Sequence, residues 1–76
     1  MMNNLEIAKE IIKKENATMW LKGGIFNTRN FVGDIMETVY AKDGLMIDVC
    51  RGHLYFEVFG LTEVEFEELE SYYEAL

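Results

Sequence analysis

The chain has 76 residues, 50% of them hydrophobic and 13% aromatic, with 14 acidic against 7 basic side chains and a net charge of −7. That length supports one domain around one core, and so apolar a composition excludes a disordered segment. The negative balance argues against direct binding to nucleic-acid phosphates, the single Cys50 cannot close an internal disulfide, and no apolar run reaches the roughly 20 residues of a membrane span, so a soluble cytoplasmic domain that is not exported is expected.

The opening NNLEIAKEIIKKEN predicts a helix. Its asparagines suit an N-cap, and Leu5, Ile7, Ala8, Ile11 and Ile12 gather on one side of a 100° wheel while Glu6, Lys9, Glu10, Lys13 and Lys14 fill the other. Glu10 precedes Lys14 by four residues, the favourable order for a surface pair. Asn16 interrupts the pattern. ATMWLK then alternates Ala17, Met19 and Leu21 against Thr18, Trp20 and Lys22, the signature of a half-buried strand, which Gly23-Gly24 ends. IFNTRN reads as a loop.

FVGDIMETVYAKDG is ambiguous. Phe31, Val32, Ile35, Met36, Val39 and Tyr40 share half of a helical wheel, while Gly33, Thr38 and Val39 favour a strand, so a helix over 31–42 is the alternative to a strand over roughly Ile35 to Ala41. The strand is preferred because KDG resembles a three-residue hairpin loop, a type I turn closed by a left-handed glycine. LMIDVC and HLYFEVF follow, each alternating. A two-residue Arg51-Gly52 loop sets Val49 opposite Leu54, Ile47 opposite Phe56 and Leu45 opposite Val58, and the KDG loop adds Val39 beside Ile47 and Ala41 beside Leu45.

GLTEVEFEEL carries the most specific local signal: Thr62 as N-cap, Glu65 completing a capping box, and Leu61 placed to staple against Phe66. Phe66, Leu69, Tyr73 and Leu76 form the expected buried stripe of this last helix, with Tyr72 at its margin. The expected fold is α+β: an N-terminal helix, an antiparallel β-meander of three to four strands, and an acidic C-terminal helix, all in a single domain over 1–76.

Charge is concentrated in that last helix. Residues up to Gly60 hold eight acids and seven bases, net −1, whereas Leu61 to Leu76 hold six acids and no base, net −6, together giving −7. Glu63, Glu67, Glu70 and Glu74 stand at i, i+4, i+7 and i+11 and share one face, their carboxylates displaced by about 4.5 to 6 Å along the axis. Such a row could imitate repeating phosphates and occupy a lysine-rich groove on another protein. It could also serve only to solubilise, since glutamate is a good helix former and acids stabilise a helix N-terminus.

The predicted register places Met36, Tyr40, Met46, Tyr55 and Phe59 on the second sheet face with Thr38, Asp48, Cys50, His53 and Glu57, and Trp20 is a candidate to join them. With both helices on the core face, this mixed face is an open interface, with Tyr40, Tyr55 and Phe59 as partner contacts; with one helix on each face, it is core. Cys50 and His53 are expected to face one another, near Asp48 and Glu57, but no oxyanion loop or second histidine accompanies them, so no catalytic residue is assigned. One histidine and one cysteine do not complete a zinc site, the acids lack calcium-loop spacing, and Gly23-Gly24 lacks the lysine and serine of a phosphate loop, so neither metal nor cofactor is expected.

In size, acidity and helix-sheet-helix order the chain resembles the small acidic inhibitors made by bacteriophages and mobile elements, anti-CRISPR proteins among them. The resemblance is one of type, without a motif shared residue by residue. It implies a non-enzymatic inhibitor that docks an acidic helix on a basic partner protein, including a nucleic-acid-binding one. The alternative is a small homodimeric or accessory domain that associates through the open sheet face.

Overall fold

A computed structural model describes residues 2–15, 20–23, 35–52 and 54–76. The element order is α1 (Asn4–Glu15), β1 (Trp20–Gly23), β2 (Glu37–Lys42), β3 (Leu45–Cys50), β4 (Tyr55–Phe59) and α2 (Glu63–Glu74). The fold is α+β, with β2, β3 and β4 forming a three-stranded antiparallel meander between the two helices. Leu21 and its neighbours in β1 extend the sheet on the β4 side, but run parallel to β4, giving the order β1-β4-β3-β2. Glu37–Lys42 is strand, which settles the helical alternative there; 31–34 lie outside the described residues, as do Ala17, Thr18 and Met19 of the first predicted strand, Gly24 and the 25–30 loop. Among the described residues, no helix is long and apolar enough to cross a membrane.

The core occupies one face of the sheet. Ala8 and Ile12 of α1, Leu45, Ile47 and Val49 of β3, Phe56 and Val58 of β4, and Leu61 and Leu69 at α2 form one buried cluster. Both helices therefore cover the same sheet face, as two layers around one interior. They meet along a seam where Lys9 Nζ lies 2.8 Å from Glu68 Oε2 and 5.4 Å from the centroid of the Tyr72 ring. The expected Glu10–Lys14 pair does not form. Arg51 instead ties three elements together, its Nε donating to Glu37 Oε2 at 2.9 Å and its Nη2 to Glu15 Oε2 at 3.1 Å, and both bonds raise its pKa.

Each helix begins with reciprocal capping. Asn3 Oδ1 accepts from Glu6 N while Glu6 Oε1 accepts from Asn3 N; in α2, Thr62 Oγ1 accepts from Glu65 N and Glu65 Oε1 accepts from Thr62 N. These pairs satisfy amides that a helix start otherwise leaves without intrahelical partners. Leu61 is buried and Phe66 packs against the same cluster, as a hydrophobic staple requires. Leu76, expected in the stripe, lies past the helix end and is 49% exposed.

Both hairpins differ from expectation, each for an identifiable reason. The β2–β3 turn has two residues, Asp43 at φ 51° and Gly44 at φ 83°, and pairs Lys42 with Leu45. Two positive φ values make it a type I′ turn, for which Asp-Gly is a preferred pair and whose twist matches that of the strands. The register therefore moves by one residue from the expected one. Tyr40 rather than Val39 stands opposite Ile47, and Ala41 moves to the second face opposite Met46. A bulge at Val39 then returns Thr38 to its expected side, opposite Asp48, whose Oδ1 accepts from Thr38 Oγ1 at 2.7 Å.

Between β3 and β4 the connection runs from Arg51 to Leu54, so Val49 pairs with Phe56 and Ile47 with Val58. That is a shift of two residues, and a side-chain period of two leaves every remaining core residue on its expected face. Leu54 is the exception, held at φ 56° in the turn and 47% exposed.

Candidate functional site

On α2, the side facing α1 is defined by Glu68 and Tyr72, and the side facing the sheet by Phe66, Leu69 and Tyr73. At 100° per residue, Glu63, Glu67, Glu70 and Glu74 fall on the remaining flank, turned away from α1. Glu63, Glu67 and Glu74 are exposed and Glu70 is half-buried. None of the four makes an ion pair with a described residue: the described pairs engage Glu68, Glu15 and Glu37. Over the eleven residue steps from Glu63 to Glu74, the row is about 16 Å long.

This flank is held rigidly. The capping box fixes its start, Leu69 is fully buried, and the Tyr73 ring meets Phe56 edge to face, with centroids 6.1 Å apart and planes at 87°. The last turn carries no base, so Glu74 sits unfavourably against the negative end of the helix dipole. Burial raises the pKa of the Tyr73 hydroxyl above its ordinary value of 10.0. An acid held neutral by the fold contributes stability that is complete below the unfolded pKa and is lost as pH rises through the folded one. Thermal melts should accordingly show stability falling above pH 10.0, and Tyr73→Phe should make that fall shallower.

The aromatic surface expected beside the row is not assembled as predicted. Tyr40, through the one-residue shift at the Asp43-Gly44 turn, packs against the core cluster instead of the second face. Tyr55 does lie on the second face, but it is 4% exposed, with its hydroxyl donating to Met36 Sδ at 3.6 Å. Cys50 and Glu57, on the same face, are 2% and 1% exposed. The second face is thus closed over its centre rather than open. β4 is an interior strand, its Tyr55 and Glu57 in register with Trp20 and Lys22 of β1. Phe59 is half-buried opposite Met46, which is 38% exposed, so of Tyr40, Tyr55 and Phe59, the aromatic contacts expected on this face, Phe59 is the one that reaches the surface there, while Thr38 and Ala41 are exposed at its β2 edge.

Cys50 stands opposite Tyr55, not His53, because the hairpin connection is two residues longer than expected; His53 itself lies outside the described residues. Asp48 and Glu57 are direct cross-strand partners, an adjacency that the two-residue displacement created and sequence spacing did not indicate. Among the described residues, no group of three or more histidines, cysteines and acids could hold a metal ion. No family model matches the chain, and no curated protein and no solved structure matches it significantly.

Proposed function

We propose that this protein is a non-enzymatic binding protein that docks the Glu63, Glu67, Glu70 and Glu74 flank of α2 on a basic surface of a partner protein, including a surface that itself binds nucleic acid. The observation that carries this reading is a selective lack of neutralisation. Glu68, on the seam side of the helix, is met by Lys9, whereas the four carboxylates of the outer flank have no cation among the described residues. Like charges at this spacing cost a helix roughly 0.2 to 0.5 kcal/mol per pair, a cost that a lysine-rich partner would turn into attraction.

The carboxylates are spaced about 4.5 to 6 Å apart along a stiff axis, close enough to meet successive basic side chains of a groove that tracks a phosphate backbone. Phe59 and Met46 offer a small apolar contact elsewhere on the molecule. Cys50, the chain's one thiol, is buried, which counts against a thiol nucleophile in particular. This mode of action is that of the small acidic phage inhibitors, of the anti-CRISPR kind, which the chain resembles in type.

Affinity capture from a native lysate, with mass identification of the captured protein, tests the reading. The complex should form at about 50 mM salt and weaken steeply by about 500 mM, where the Debye length has fallen from roughly 14 Å to roughly 4 Å. A partner with no basic surface, or binding indifferent to salt, would remove the electrostatic basis of the proposal.

A further inference from the structure

β2 is an edge of the sheet, and among the described residues nothing pairs with its outer side. Its sequence ETVYAK places Glu37 at one end and Lys42 at the other, both exposed. Their register partners on β3 are Val49 and Leu45, both in the core cluster, so the two opposite charges lie on the same face of the sheet. Edge strands commonly carry charge to repel their own copies. Here the order of the charges has the reverse effect.

An antiparallel copy of β2, turned about a two-fold axis between Val39 and Tyr40, sets Glu37 opposite the copy's Lys42 and Lys42 opposite its Glu37. No other antiparallel register makes that match. Glu37 remains able to accept a second cation, because Arg51 engages its Oε2 and the side chain is 59% exposed. The same register sets Thr38 against Ala41 and brings Ile35, 85% exposed, beside the copy's Asp43-Gly44 turn. The bulge at Val39 lies at the axis and is repeated in both copies, so symmetry keeps the two strands in step.

We infer that the β2 edge is a self-association site whose occupant is a second copy of this chain, joined antiparallel by two Glu37–Lys42 pairs. This inference is independent of the acidic flank on α2. An edge of six residues is small beside the roughly 800 Å² a side of a standard interface, so the dimer is weak, with a dissociation constant on the order of 10–100 μM.

Sedimentation of the full chain up to about 1 mM should show a monomer–dimer equilibrium. Lys42→Glu and Glu37→Lys should each weaken self-association by roughly tenfold or more, because two like-charge contacts replace two attractive ones. An equimolar mixture of the two variants should restore dimers, since an edge with an acid at both ends then meets an edge with a base at both ends. Circular dichroism establishes that each variant is folded. Should Glu37→Lys fail to fold for want of its Arg51 contact, a mixture of Thr38→Cys and Ala41→Cys chains reports the register, a disulfide-linked heterodimer being expected under mild oxidation. A monomer at the highest concentration, an undiminished Lys42→Glu dimer, or a folded charge-swapped mixture that stays monomeric would each overturn the inference.

Discussion

Gly60→Ala should lower stability by roughly 3 kcal/mol, the largest loss expected from deleting no interaction at all. Two penalties coincide at this residue. Its φ of 101° lies where an L side chain is strained, and an added Cβ would run into the Gly44 carbonyl oxygen and crowd the Leu45 backbone. The backbone between β4 and α2 therefore passes directly over the end of the β2–β3 hairpin, which sets where α2 begins. A domain of this size has a margin of about 5 kcal/mol, so such a loss leaves the fold barely intact. Two further glycines make the result interpretable. Gly44→Ala meets open space but keeps a φ of 83°, and should cost about 1 kcal/mol; Gly52→Ala meets neither obstacle and should stay within about 0.5 kcal/mol of wild type. Urea midpoints at an unchanged slope would measure the series. Equal losses at Gly60 and Gly44 would show that the close approach can relax.

Converting Glu63, Glu67, Glu70 and Glu74 together to glutamine should slow association with a basic partner by roughly ten- to a hundredfold while leaving the helix intact. The change removes four charges but neither the capping box nor the buried Leu69, and glutamine is nearly as good a helix former as glutamate. Relief of repulsion between successive carboxylates should even favour the isolated element, by a few tenths of a kcal/mol per pair, against the loss of Glu63 near the positive end of the dipole. The informative comparison is Glu68→Gln. That carboxylate is already paired with Lys9, so its loss should alter association little. Stopped-flow rates at two ionic strengths would separate the cases, and a quadruple variant that still binds at the wild-type rate with the wild-type salt dependence would remove the role proposed for the flank.

Local signals in the chain proved legible at the helix starts and along the buried helical stripes. Thr62 and Glu65 cap α2 because both partners sit within four residues of each other, and Ile12 and Leu69 are buried because periodicity alone puts them on the inward side. The lack of bases from Leu61 onward likewise belongs to the linear chain. Tyr40 illustrates the limit. Its face depends on whether the turn takes two residues or three, and one residue of difference carried it from the second face to the core.

What the sequence determined by itself was the set of elements, their caps, the inward stripes of both helices and of β3, and the one-sided distribution of charge, since each follows from neighbours close along the chain. Only the tertiary structure decided that both helices share one sheet face, that β1 joins parallel to β4, that Tyr55 and Cys50 are covered, and that Lys9 neutralises Glu68 and not the outer row. Those outcomes depend on contacts between residues far apart in the chain. Many packings satisfy the same local periodicity, and the one adopted is selected by which buries the apolar surface with its polar groups still satisfied.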